Sequence, residues 1–244
     1  MLVDTGDGLI LVDSGYGRQD YTNPTRFVKI FNRIIGLAGD VDETALHQAK
    51  VLGYDPADIK HIFLTHMHLD HTGGLPDFPQ AKVHVFELEY DTAMNAGGLI
   101  SNFYIEQHWE HHPDWEIHSC KGGKWQNLGC TPEIEINDIK VFFVPMPGHS
   151  PGNCMVDLHL PDDSYIVHGG DTFYSIGQIA PEGPIRPPFH WVVQLFNVFN
   201  PVTRAFYAYE QTLRQLGGEL GDKMRIFSAH DPNEFERLSG KTLI

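Results

Sequence analysis

Three histidines and an aspartate fall inside the run Thr65-His66-Met67-His68-Leu69-Asp70-His71-Thr72-Gly73-Gly74. The run directly follows an apolar stretch, Ile59 to Leu64, that reads as a strand. In an extended segment, residues two apart point to the same side, so His66 and His68 can reach one ion together. Asp70 and His71 come just beyond, where the chain turns and starts a helix, and can serve a neighbouring ion. Buried imidazole and carboxylate groups without partners carry a desolvation cost, so packing alone is a poor explanation for this cluster.

Three more candidates stand in the same local context. His149 follows an apolar run at Lys140 to Val144 and the turn Pro145-Met146-Pro147-Gly148. Asp171 follows Tyr165 to Val167 and Gly169-Gly170. His230 follows Met224 to Phe227 and Ser228-Ala229. Each polar group sits just past the carboxyl end of an apolar run, where strands of α/β sheets commonly collect their sites. Neutral imidazole and carboxylate suit Zn²⁺, and also Fe²⁺, Mn²⁺ or Co²⁺. His66, His68 and His149 make a three-histidine set with an open position. Asp70, His71 and His230 make a second set, and Asp171, with two oxygens, can bridge. Two ions about 3.5–4 Å apart can share a hydroxide and polarise a carbonyl or phosphoryl oxygen. Binding lowers the water pKa from about 15.7 towards about 7, so hydroxide is available at neutral pH.

The elements that must position these groups alternate along the chain. Leu9 to Val12, Ile59 to Leu64, Val83 to Phe86, Met155 to Leu160, Tyr165 to Val167 and Met224 to Phe227 read as strands. Ile134 to Ile136 and Lys140 to Val144 read as a hairpin around the turn pair Asn137-Asp138. Residues 26–36, 43–53 and 87–96 read as helices, and Thr203 to Leu216 as a helix stopped by Gly217-Gly218. Strands spread along the chain and separated by helices predict an α/β fold in one domain over residues 1–244. The Pro-rich stretch 177–190 reads as an ordered loop or cap.

Composition sets the outer bounds. A chain of 244 residues with 41% hydrophobic and 20% charged residues can bury a core without disulfide support. Cys120, Cys130 and Cys154 are an odd number without a repeating spacing, which predicts free thiols. The first residues, Met-Leu-Val-Asp-Thr-Gly, lack the basic and apolar regions of a secretory signal, and no apolar run is long enough to span a bilayer. The expectation is a cytoplasmic protein with no membrane partner. A net charge of −15 counts against a nucleic-acid partner.

The His-x-His-x-Asp-His run at 66–71 resembles the signature of the metallo-β-lactamase superfamily. Leu11-Val12-Asp13-Ser14-Gly15 is similar to that family's first motif, whose aspartate is structural and close to the site. Pro147-Gly148-His149-Ser150-Pro151-Gly152, Gly170-Asp171 and Ala229-His230-Asp231 resemble its later motifs. The resemblance runs from Leu9 to about Pro232 and implies an αββα four-layer sandwich with two divalent metal ions, Zn first and Fe or Mn as alternatives. Two departures stand out: Asp13 comes almost at the start of the chain, and Asn153 stands where many relatives carry a further histidine.

Within the family, Asp171-Thr172-Phe173-Tyr174 looks like the quorum-quenching lactonases. There a tyrosine three residues after the bridging aspartate hydrogen-bonds the lactone carbonyl. This implies Tyr174 and Asp70 as catalytic groups and a small-molecule lactone of N-acyl homoserine type as substrate. A glyoxalase II-like thioesterase is the alternative, since Gly170-Asp171-Thr172-Phe173 is close to its motif. A non-catalytic metal-binding regulatory module is the alternative of another class.

Two features fall outside these motifs. His108-Trp109-Glu110-His111-His112-Pro113-Asp114 reads as a solvated loop or helix face. The aromatic segment 189–209 is open to three readings: core, substrate cap, or the surface of a homodimer.

Overall fold

A computed structural model describes residues 1–35, 39–98, 100–186 and 203–240. The chain divides into two compact units, Met1–His118 and Ser119–Ile244.

In the first unit, β1 (Leu2–Asp4), β2 (Leu9–Val12), β3 (Ile59–Phe63), β4 (Lys82–Phe86) and β5 (Asp114–His118) form one sheet in that order. β1 pairs antiparallel with β2, and the other neighbours are parallel. Parallel neighbours need crossovers. Helices α1 (Arg18–Thr22), α2 (Arg26–Ile35) and α3 (Ala45–Val51) lie between β2 and β3. Helix α4 (Leu69–Thr72) follows β3, and α5 (Glu87–Met94) follows β4. Leu9, Leu11, Ile62, Val83 and Val85 belong to a core that includes Ala49 of α3 and Ala93 of α5. Alternation along the strands places His61, His84, Glu116 and His118 on the opposite face of the sheet.

In the second unit, β8 (Ile134–Ile136), β9 (Ile139–Pro145), β10 (Cys154–His159), β11 (Tyr165–His168) and β12 (Met224–Phe227) form a sheet in the order β12-β11-β10-β9-β8. Its pairs are antiparallel except β11 with β12. β6 (Gly123–Trp125) and β7 (Leu128–Cys130) form a separate hairpin. Helices α6 (Thr203–Leu220) and α7 (Pro232–Ser239) complete this unit. Leu213 and Leu216 of α6 bury against Val144, Met155, Val167, Phe173 and Met224.

Several sequence expectations need correction. α6 does not stop at Gly217-Gly218 but runs on to Leu220. Tyr209, Leu213, Leu216 and Leu220 recur at helical spacing against the core, and that apolar face outweighs the low helix propensity of two glycines. The strands β1, β5, β6 and β7 were not foreseen. β5 carries only Trp115 and Ile117 as apolar residues among polar ones. The β6–β7 turn uses Gln126 and Asn127 at φ 44° and 68°, a pair of left-handed residues in which glutamine gives no turn signal.

The three cysteines are free thiols, as expected. Phe189, Trp191, Phe196 and Phe199 lie outside the described residues, as do Pro187, Pro188 and the side chains of Phe206 and Tyr207. Among the described residues no helix is long and apolar enough to cross a membrane.

Candidate functional site

In the first unit the chain leaves β3 at Phe63, bends at Thr65, and enters α4 with His68, in extended backbone, as its N-cap residue. His66 and His71 are buried, while His68 and Asp70 are half-buried. The ring of His66 lies 4.7 Å from that of His68 and 3.9 Å from that of His71. Asp70 Oδ2 is 3.8 Å from His71 Nε2. The four candidate ligands of the 66–71 run are thus brought together.

Asp13 fixes this group from the end of β2. It takes a left-handed backbone, φ 53°, and its N–H donates to the Phe63 carbonyl at 2.9 Å. Its carboxylate accepts from the Thr65 N–H and the Thr65 hydroxyl, each at 2.8 Å, and faces His71 Nδ1 at 2.8 Å. A carboxylate is an acceptor, so Nδ1 carries the proton and the imidazole lone pair is left at Nε2. The loop after Asp13 lies close on α4. A side chain at Gly74 would put its Cβ 2.6 Å from the Ser14 carbonyl oxygen, which only glycine avoids.

Two supports beneath this run escaped sequence reading. Glu89 of α5 is buried and accepts from the Met67 N–H at 2.9 Å and the Tyr104 hydroxyl at 3.2 Å. His108 is buried, with Nδ1 2.9 Å from the Thr72 hydroxyl and Nε2 2.9 Å from Asp20 Oδ1. The solvated-face reading of residues 108–114 therefore fails at His108 and at buried Trp109, although Glu110 and His112 are exposed. No spacing rule marks Glu89, because its partners are the backbone of Met67 and the distant Tyr104.

In the second unit Asp171 is buried, His149 half-buried and His230 exposed. Asp171 Oδ2 faces His149 Nε2 at 3.4 Å, and Oδ1 faces His230 Nε2 at 3.2 Å. Each carboxylate oxygen thus addresses a different imidazole. Gly170, at φ 51°, makes the turn that presents Asp171 after β11. The Gly169 N–H donates to Phe227 O at 2.7 Å and the Ser228 hydroxyl to Phe173 O at 2.7 Å, which ties the Asp171 and His230 loops together.

Asn153 is buried and donates to Met146 O at 3.0 Å and to the Thr172 hydroxyl at 3.1 Å. The residue that departs from the family pattern thus joins the His149 loop to the Asp171 loop. Asp231 caps α7 and also accepts from the Ile176 N–H at 2.7 Å.

The Tyr174 hydroxyl lies 2.7 Å from His149 Nδ1. Its backbone is held by Gln178, fully buried, whose side-chain oxygen accepts from the Tyr174 and Ser175 N–H groups at 2.8 and 3.0 Å. Gln178 in turn donates to Glu210 at 2.9 Å, and Glu210 accepts from Arg186 at 2.7 Å. Sequence reading missed Gln178. Its signal was the Ser175-x-x-Gln178 spacing of a capping box.

The donor set of both units is imidazole and carboxylate throughout. This fits divalent ions of the Zn, Fe, Mn and Co group.

Residues 1–224 match the Metallo-beta-lactamase superfamily. A probable metallo-hydrolase of Mycobacterium tuberculosis is 37% identical over 190 residues, 78% of this chain and 60% of that protein. An N-acyl homoserine lactonase, AttM, of Azorhizobium caulinodans is 28% identical over 195 residues, 79% of this chain and 65% of its own length. The chain thus spans less than two thirds of the length of these relatives.

Among solved structures, a probable metal-dependent hydrolase from Staphylococcus aureus has a TM-score of 0.69 at 17% identity, covering 95% of this chain and 73% of that one. A single-residue mutant of B. thuringiensis AiiA with N-decanoyl-L-homoserine bound at the active site has a TM-score of 0.63 at 20% identity, covering 99% of this chain and 83% of that one. The fold expected from the motifs is borne out by these neighbours, and with a match over most of its length the chain belongs to the metallo-beta-lactamase superfamily.

Proposed function

We propose that residues 1–244 act as one metal-dependent hydrolase domain that opens an ester-type bond, with a lactone of N-acyl homoserine type as the substrate. In this reading His66, His68, Asp70 and His71 of the first unit and His149, Asp171 and His230 of the second hold two divalent metal ions. Such a pair, when bound, supplies hydroxide at neutral pH and draws electrons from a carbonyl oxygen. Zn²⁺ fits the donors best, with Fe²⁺ and Mn²⁺ as alternatives.

The residues of the chain then have distinct tasks. Asp13 keeps the proton of His71 on Nδ1, so that Nε2 is the ligating atom. Asp171 directs one oxygen to each of two histidines, the arrangement a bridging carboxylate requires. Asp70 takes up the proton released on attack and delivers it to the leaving alkoxide. Tyr174 donates to the carbonyl oxygen as negative charge develops there.

The observation that carries the lactone reading is the contact between the Tyr174 hydroxyl and His149 Nδ1. If His149 binds metal through Nε2, its Nδ1 bears the proton and donates to the phenolic oxygen. The phenolic proton is then directed elsewhere, and a substrate carbonyl is its natural acceptor. The lactonase names among the relatives support the same substrate class.

The test is a panel of N-acyl homoserine lactone, carboxylate ester and thioester, run on protein of measured metal content. Preference for the lactone supports the reading. Preference for the thioester would replace it with a glyoxalase II-like activity. Full metal occupancy with no turnover would point to a binding module.

A further inference from the structure

The first unit carries a second group of metal-type donors, on the sheet face opposite the core of Ile62, Val83 and Val85. His84 on β4 and Glu116 and His118 on β5 place one donor atom each within 4.8 Å of one another. Parallel pairing puts His84 beside Glu116, and Phe86 beside His118. His84 Nδ1 and His118 Nε2 face each other at 2.9 Å. On its other side, His84 Nε2 is 2.9 Å from His61 Nδ1, on β3. His84 is buried and its ring stacks on Phe63 at 4.2 Å and 7°, so its orientation is fixed.

We infer that His84, Glu116 and His118 form a separate site for one divalent transition-metal ion, with His61 as the group that orients His84. Two imidazoles and a carboxylate are a Zn²⁺ donor set that leaves one position open. A ligating histidine nearly always donates its other N–H to an acceptor that sets its tautomer, and His61 Nδ1 is in place to accept from His84 Nε2.

Lys82 pairs with Glu116 through Oε2 at 2.9 Å. Both side chains of that pair are half-buried, at 41% and 43% exposure, so water still screens the salt bridge and a second carboxylate oxygen is offered for coordination. An ion here would join β4 to β5, the last strand in the sheet order.

The contending description is a chain of neutral histidines joined only by hydrogen bonds. The experiment is a Zn²⁺ titration of the metal-stripped 244-residue chain, compared with His118→Gln and, as a milder change at a half-buried position, Glu116→Gln. We expect the parent to bind one equivalent that His118→Gln loses and Glu116→Gln weakens, with circular dichroism unchanged. His61→Phe should weaken the same equivalent by about 10–100-fold. That equivalent should persist in a His66→Ala/His149→Ala double variant, which separates it from the proposed catalytic pair. Identical isotherms for the parent, His118→Gln and Glu116→Gln would overturn the inference and leave the hydrolase reading intact. Loss of all Zn²⁺ binding in the double variant would overturn it as well.

Discussion

The carboxylate of Asp13 holds Nδ1 of His71 at 2.8 Å, across 58 positions of sequence. The same carboxylate takes both polar groups of Thr65, so one side chain at the end of β2 sets the geometry of the 66–71 run. Asp13→Ala should therefore weaken metal binding by about 10–100-fold, as removal of such orienting partners does. A metal titration checks this. Unchanged affinity would detach Asp13 from the metal ligands.

Tyr174→Phe keeps the ring and removes the hydroxyl that faces His149. In the proposed mechanism this removes a donor to the developing oxyanion, so kcat/KM for a lactone should fall by about 100-fold while metal content stays the same. A fall in metal content with it would make Tyr174 a support for His149 alone.

Gln178→Leu leaves the Tyr174 and Ser175 N–H groups without their acceptor. These donors are part-buried, so each left unpaired costs at most about 1–3 kcal/mol. For a chain of this size each kcal/mol lowers Tm by about 2–4 °C. A thermal melt should show a drop of several degrees. Lactone turnover should also fall, because the loop that carries Tyr174 is no longer pinned.

Asp157 on β10 gives a pH prediction. Its carboxyl is buried and raised to about 7 by burial, against the hydrogen bond from Trp125 Nε1 at 2.8 Å, which lowers it. Between the unfolded value of 3.8 and about 7, the folded protein holds a proton that the unfolded chain has lost. Stability therefore declines as pH rises through that window and levels off above it. The ceiling on this loss is about 4 kcal/mol, at 1.36 kcal/mol for each pH unit. Asp157→Asn removes the charge and keeps an acceptor for Trp125. It should raise Tm at pH 8 and change it little at pH 5. Equal effects at both values would contradict the assignment.

The candidate ligands were legible because they sit in dense local motifs after apolar runs. His66 to His71 is one continuous run, and His149, Asp171 and His230 each follow a strand end. β2, β3 and β11 were legible because their apolar runs are short and bounded by turn residues. The supporting residues were hidden for a physical reason. Asp20 with His108, Glu89 with Tyr104, and Gln178 with Glu210 are buried polar pairs made by tertiary contact, and their neighbours in sequence carry no periodic sign of it. β5 was hidden because it is only five residues long with two apolar side chains, Trp115 and Ile117; its polar face supplies Glu116 and His118 of the inferred metal site.

The proposed hydrolase reading requires that His68 and His149 serve one pair of ions. Electron paramagnetic resonance of protein fully loaded with Co²⁺ tests it most directly, because ions about 3.5–4 Å apart couple their spins. A coupled signal in the parent that disappears in both His68→Ala and His149→Ala is the predicted result. Magnetically isolated Co²⁺ at full loading, or coupling that survives His149→Ala, would contradict it.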